Sequence, residues 1–171
     1  LRSIAINQIL AQSLYMCLAG SFRSRFYKVI SSMALSDNLL NNESYFIVEI
    51  RSLKRIFDNT GDEPVLCFVD EVLRGTNTKE RIAASTAIMR NLSGRNVLAF
   101  AATHDIELTG LLADCMDNYH FTERVEGNDV CFDYKLKEGP ATSRNAIKLL
   151  EISGFDPEII SEANRLVNNL E

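Results

Sequence analysis

Two adjacent carboxylates, Asp70 and Glu71, close the unbroken apolar run Val65-Leu66-Cys67-Phe68-Val69, and a loop containing Arg74, Gly75, Thr76 and Asn77 follows them. Neighbouring carboxylates in apolar surroundings repel each other and resist ionising. A divalent cation offsets both costs. In such a pair the aspartate can hold a hydrated Mg²⁺ while the glutamate orients an attacking water. The pair reads equally well as helix-cap or loop acids, because an apolar run ending in Asp-Glu is a short motif. A second apolar run, Val97 to Ala102, ends in Thr103-His104-Asp105. A histidine there can donate to a terminal phosphate, or can simply satisfy a local hydrogen bond. The ordered set carries more weight than its members: a helix opening on Ser44 and an aromatic residue, then the acids, then the histidine.

These groups need elements to position them. Leu1 to Ala19 has helical apolar spacing and is expected to end at Gly20. Phe26 to Ile30 reads as a short strand. Ser44 to Phe57 reads as an amphipathic helix, with Phe46, Ile50, Leu53 and Phe57 on one face and Arg51, Lys54 and Arg55 outside. On that helix Ser44 is the expected N-cap and Glu49 a solvated residue. Asp62-Glu63-Pro64 breaks the pattern before Val65 to Val69, a continuous apolar strand suited to a parallel sheet covered on both faces. Glu80 to Leu92 reads as a helix, Val97 to Ala102 as a second buried strand, and Ile106 to Leu112 as a further helix. Ligands in such α/β folds sit at the carboxyl ends of strands, where both candidate groups fall.

Beyond this the pattern changes. Tyr119 to Arg124 and Val130 to Leu136 read as antiparallel strands joined around Gly127, with Val130, Phe132, Tyr134 and Leu136 on one face. His120 is expected to be structural. Two short helices follow Gly139-Pro140, the second starting at Pro157 with Asp156 as its cap.

At 171 residues the chain has the size of one domain, with 46% hydrophobic and 24% charged residues. Its net charge of −5 and pI of about 5.1 make it a poor candidate for gripping nucleic acid by its own field. Cys17, Cys67, Cys115 and Cys131 form no CxxC pair and read as buried, reduced cysteines of an intracellular protein rather than a zinc site. No apolar run reaches membrane-spanning length.

The stretches "ESYFIVEI" (43–50), "VLCFVDEVLRGTNT" (65–78), "AATHDIELTGL" (101–111) and "KEGPATSRNAIKLLEISGFDPEIISEANRL" (137–166) resemble the ATPase domain of the MutS family, a branch of the ABC-type ATPases. The resemblance covers nearly the whole chain. It implies an α/β fold of the ABC-type P-loop NTPase class: a mainly parallel sheet flanked by helices, with a C-terminal β-hairpin and a closing helical pair over 144–171. Asp70 and Glu71 match the family's Walker B acids, residues 74–78 its RGTST-like loop, His104 its switch histidine and Ser44 the serine of its signature helix. The roles implied are Glu71 and His104 in catalysis, Ser44, Asp70, Thr76 and Asn77 in nucleotide binding, and Asp70 as the Mg²⁺ ligand. ATP and Mg²⁺ are the implied cofactors. The implied setting is a cytoplasmic homodimer with composite ATP sites, which contacts DNA through other domains and makes no membrane contact through this segment.

The chain departs from the family pattern at Leu73, where Gly is usual, at Tyr45 and Asn77, and in "SRNAIKLL". It contains no GxxxxGK[ST] loop. Its opening "LRSIAINQIL" resembles the helix that follows that loop, so the chain is expected to begin just past its phosphate cradle and to be inactive alone. Three alternatives stand beside this reading. They are another ABC-type ATPase (SMC-like), a Mg²⁺-dependent phosphatase or receiver-like domain, and a non-catalytic dimerisation module.

Overall fold

The computed structural model describes residues 1–33, 45–73, 76–126, 129–141 and 146–170. The chain forms two compact units, Leu1–Met116 and Asp117–Glu171.

The first unit is an α/β layer structure. Its helices and strands alternate as α1 (Arg2–Leu14), β1 (Lys28–Ser32), α2 (Tyr45–Asp58), β2 (Val65–Asp70), α3 (Thr78–Ser93), β3 (Val97–Ala102) and α4 (Glu107–Leu111). The three strands form a parallel sheet in the order β1-β2-β3. Central β2 explains its own composition, because Val65 to Val69 are all buried. Successive side chains point to opposite faces. Val65, Cys67 and Val69 join the core formed with Leu53 and Ile56 of α2, Met89 and Leu92 of α3, and Leu108 of α4. Leu66 and Phe68 pack on the other face with Ala5 of α1. Phe68 stacks on its register partner Phe100 at 5.5 Å between ring centroids. Full burial of a side chain this size stabilises the fold by about 2–3 kcal/mol. Central β2 is therefore covered on both faces, as its apolar run requires, whereas β3 is only partly covered, with Leu98 46% exposed, which corrects its reading as a second buried strand.

Two boundaries differ from the sequence expectation. Helix α1 stops at Leu14, not Ala19, because Tyr15 takes a left-handed conformation with φ of 54°. The chain then folds back, and the Leu18 N–H donates to Asn7 Oδ1 at 2.6 Å. Strand β1 begins at Lys28, not Phe26. Gln8 and Gln12 of α1 donate to the carbonyls of Arg25 and Tyr27 at 2.9 and 3.1 Å, holding this approach off the sheet. Pairing starts where the Lys28 N–H meets the Pro64 carbonyl at 3.0 Å.

The second unit contains β4 (Tyr119–His120), β5 (Glu123–Glu126), β6 (Asp129–Phe132), β7 (Lys137–Glu138), α5 (Ala146–Ile152) and α6 (Pro157–Leu170). The expected strand Tyr119 to Arg124 is divided between β4 and β5, and the expected Val130 to Leu136 stops at Phe132, with β7 lying beyond it; β4 pairs β7 and β5 pairs β6. The stop at Phe132 falls just before Tyr134, which adopts a φ of 51°. Phe132, Tyr134 and Leu136 are all more than half exposed, so the expected apolar face is not buried in this unit. His120 is structural in its contacts, with Nδ1 2.9 Å from the Gly139 carbonyl oxygen. Asp156 caps α6 by accepting the Glu158 N–H at 3.0 Å. Gly127 lies outside the described residues.

Of the four cysteines only Cys67 is buried, and Cys131 is exposed, which corrects the expectation that all are interior. Burial pushes the Cys67 thiol up to about 11. No helix among the described residues is long and apolar enough to cross a membrane.

Candidate active site

Asp70 and Ala102 are register partners at the carboxyl ends of β2 and β3. The ladder runs one residue further, where the Glu71 N–H donates to the Ala102 carbonyl at 2.9 Å. The chain then bends sharply, with φ of 51° at Glu71 and 60° at Leu73. Each left-handed non-glycine residue costs about 1–2 kcal/mol. Such strain persists only where the surroundings over-determine it.

Three elements hold this turn. Ala102 of β3 takes the Glu71 N–H, and Ser85 of α3 donates its hydroxyl to the Val72 carbonyl at 3.4 Å. The Leu73 N–H donates to Glu49 Oε1 of α2 at 2.6 Å. Glu49 is 2% exposed, which overturns its reading as a solvated helix residue. It lies on the buried stripe Glu49, Ser52, Leu53 and Ile56, whose spacing is one helix face. The stripe of Phe46, Ile50, Leu53 and Phe57 lies beside it and instead lines a cavity of about 440 Å³ together with residues of α3.

The turn presents the Glu71 carboxylate to His104, with Oε1 2.8 Å from Nε2. Glu71 is largely covered, while the His104 side chain is 91% exposed. Around them is a pocket of about 160 Å³, lined by Glu71, Val72, Arg81, Thr103, His104 and Asp105. Arg81 of α3 grips Asp105 through two bonds, Nε to Oδ2 at 2.8 Å and Nη2 to Oδ1 at 2.6 Å. These bonds hold Asp105 below the usual carboxylate range; burial opposes the shift, and the charges of Arg81 and His104 add to it. The Asp105 N–H also bonds Thr103 Oγ1 at 3.0 Å. The loop carrying His104 is thereby anchored on α3.

The other expected site residues are placed differently. Asp70 is exposed at the end of β2. Asn77 is the N-cap of α3, its Oδ1 accepting the Lys79 N–H at 2.9 Å. Thr76 donates to Glu80 Oε2 at 3.3 Å and lines the larger cavity, away from the Glu71–His104 pocket. Ser44 and Arg74 lie outside the described residues. Among the described residues no group of three or more His, Cys, Asp or Glu forms a metal cage. A single exposed strand-end carboxylate suits Mg²⁺, which is commonly bound by one or two carboxylates together with substrate phosphates and water.

The matched residues identified by comparison are the whole chain, since the family model described as MutS domain V covers residues 1–171. The chain belongs to the MutS family. Its MutS relatives include the DNA mismatch repair protein MutS of Thermus aquaticus, 29% identical over 98% of this chain and 21% of that protein. The MutS of Sorangium cellulosum is 30% identical over 100% of this chain and 19% of its own length. The corresponding figures for the MutS of Chlamydia muridarum are 30%, 100% and 22%. The chain thus spans about a fifth of the length of the curated MutS relatives it matches.

The features that sequence reading missed were Glu49 and the Arg81–Asp105 fork. A signal for Glu49 existed in its spacing from Leu53 and Ile56, which puts a carboxylate on an apolar face.

Proposed function

We propose that this MutS domain V chain is the Mg²⁺-dependent ATP-hydrolysing part of a DNA mismatch repair ATPase, with an ABC-type P-loop NTPase fold. The observation that supports it best is the Glu71–His104 pair, 2.8 Å apart beyond the carboxyl ends of adjacent parallel strands, with Asp70 beside it.

Asp70 would hold a Mg²⁺ ion, which would neutralise the phosphate oxygens of ATP and favour phosphoryl transfer to water. Glu71 orients the attacking water and accepts its proton at the carboxylate. His104 carries its exposed ring to the terminal phosphate as a hydrogen-bond donor and senses its presence. Thr76 and Asn77, in the loop that leads into α3, are assigned to nucleotide binding from the resemblance of that loop to the family's. Ser44 precedes α2, whose free N–H groups and positive dipole end favour an anion, and it closes over the nucleotide of a second subunit. Two copies would thus build two composite sites, in a cytoplasmic homodimer. A net charge of −5 is unsuited to holding DNA, so DNA contact is assigned to other domains of the complete gene product.

Mixing two defective variants of the complete gene product tests this arrangement. Ser44→Arg blocks closure over the partner's site, and Asp70→Asn removes the cation ligand. In a mixed dimer, one site combines the intact carboxylates of the first variant with the intact Ser44 of the second. Partial ATPase activity is expected to return on mixing. No recovery in demonstrated heterodimers would contradict the composite site.

A further inference from the structure

Glu49 is a carboxylate on the core-facing stripe of α2, 2% exposed, and its Oε1 lies 2.6 Å from the Leu73 nitrogen. A buried polar group is costly unless hydrogen-bonded. A hydrogen bond from a buried backbone N–H needs only an acceptor oxygen within reach, whether of a carboxyl or of an amide. This one fastens on the second of two left-handed residues, Glu71 and Leu73, which together set the direction of the Glu71 side chain.

The same carboxylate is fixed to the frame of α2. Glu49 is about 6 Å along the axis from Tyr45, the helix's first residue. A helix moves as a rigid element, so displacement at its N-terminus reaches the Leu73 N–H through Glu49. We propose that Glu49 is a positioning residue: it holds the strained turn of Glu71 in its hydrolytic geometry and couples that geometry to the position of α2. This rests on the reading of Glu71 as the water-orienting carboxylate and of the α2 N-terminus as facing a partner's nucleotide. Closure of α2 on one site then adjusts the carboxylate of the other, inside a single subunit.

Three substitutions in the complete gene product test the proposal, with Glu71→Gln run alongside. Glu49→Gln keeps an acceptor at the same reach, and kcat for ATP hydrolysis should stay within about threefold of wild type. Glu49→Met fills the space without an acceptor, and Glu49→Asp retracts the carboxylate by one methylene. Both should lower kcat by about 100-fold, the scale of a misplaced reacting group, with KM for ATP within about threefold. A merely structural acid would instead move thermal stability and leave kcat alone. If Glu49→Met does not fold, by its circular dichroism, Glu49→Asp decides. Wild-type kcat in the folded non-accepting variants, or an equal loss in Glu49→Gln, overturns the proposal. If Glu71→Gln is inactive while the Glu49 variants remain fully active, this inference alone fails. If Glu71→Gln itself turns over normally, the underlying reading fails with it.

Discussion

His104 Nε2 lies 2.8 Å from Glu71 Oε1, although the two residues belong to loops that follow different strands. Parallel pairing of β2 with β3 creates this contact, because register alignment of Asp70 with Ala102 brings both strand ends level. Groups in such contact act as a unit, and their effects do not add.

A double-mutant cycle on ATP hydrolysis should therefore show strong coupling. His104→Ala is expected to lower kcat by about 100-fold or more, a typical value for a positioned proton-handling group. The double variant with Glu71→Gln should lose little beyond the worse single variant. Multiplying losses, measured as kcat in the complete gene product, would mean that the two side chains work independently.

The Arg81–Asp105 fork makes a pH-dependent contribution to stability. Asp105 has its folded-state pKa depressed chiefly by the Arg81 hydrogen bonds. The unfolded chain therefore takes up this proton first as the pH falls. The stabilisation is complete above the ordinary carboxylate value of about 4 and disappears as the pH falls through the lower folded value. Asp105→Asn should be less stable than wild type at pH 7, and the gap in urea midpoint should narrow below about pH 4. A gap that is constant across this range would show that the ion pair does not carry the effect.

Leu73 stands at φ of 60° with only 6% of its surface exposed. Glycine would relieve about 1–2 kcal/mol of left-handed strain, but deleting a buried leucine side chain costs about 2–5 kcal/mol. Leu73→Gly should accordingly lose about 1–3 kcal/mol in chemical denaturation. Unchanged or increased stability would mean that the side chain contributes less than the strain it imposes.

The contrast between β2 and Glu49 shows what local sequence carries. Val65 to Val69 is apolar without alternation, so a strand covered on both faces follows directly, and β3 spans the expected Val97 to Ala102. Helices α2 and α3 were likewise legible from spacing, and Asp156 and Pro157 from capping chemistry. The end of α1 was not, because Asn7 pulls the Leu18 N–H back against the helix. Nor does local pattern disclose that Arg81 meets Asp105 or Glu49 meets Leu73, since each pair joins different elements through tertiary packing. In the site, Glu71 and His104 came together as strand-end residues should. Asn77 caps α3 and Thr76 lines the neighbouring cavity.

The most direct measurement is single-turnover ATP hydrolysis by the complete gene product carrying Glu71→Gln, with nucleotide binding followed in parallel. The substitution keeps the side chain's size and its contact reach toward His104 but removes the proton acceptor. ATP affinity should stay within about threefold of wild type, while hydrolysis falls by about 10²–10⁴-fold. Hydrolysis at a rate near wild type, with binding intact, would contradict the assignment of Glu71 and with it the account of this site.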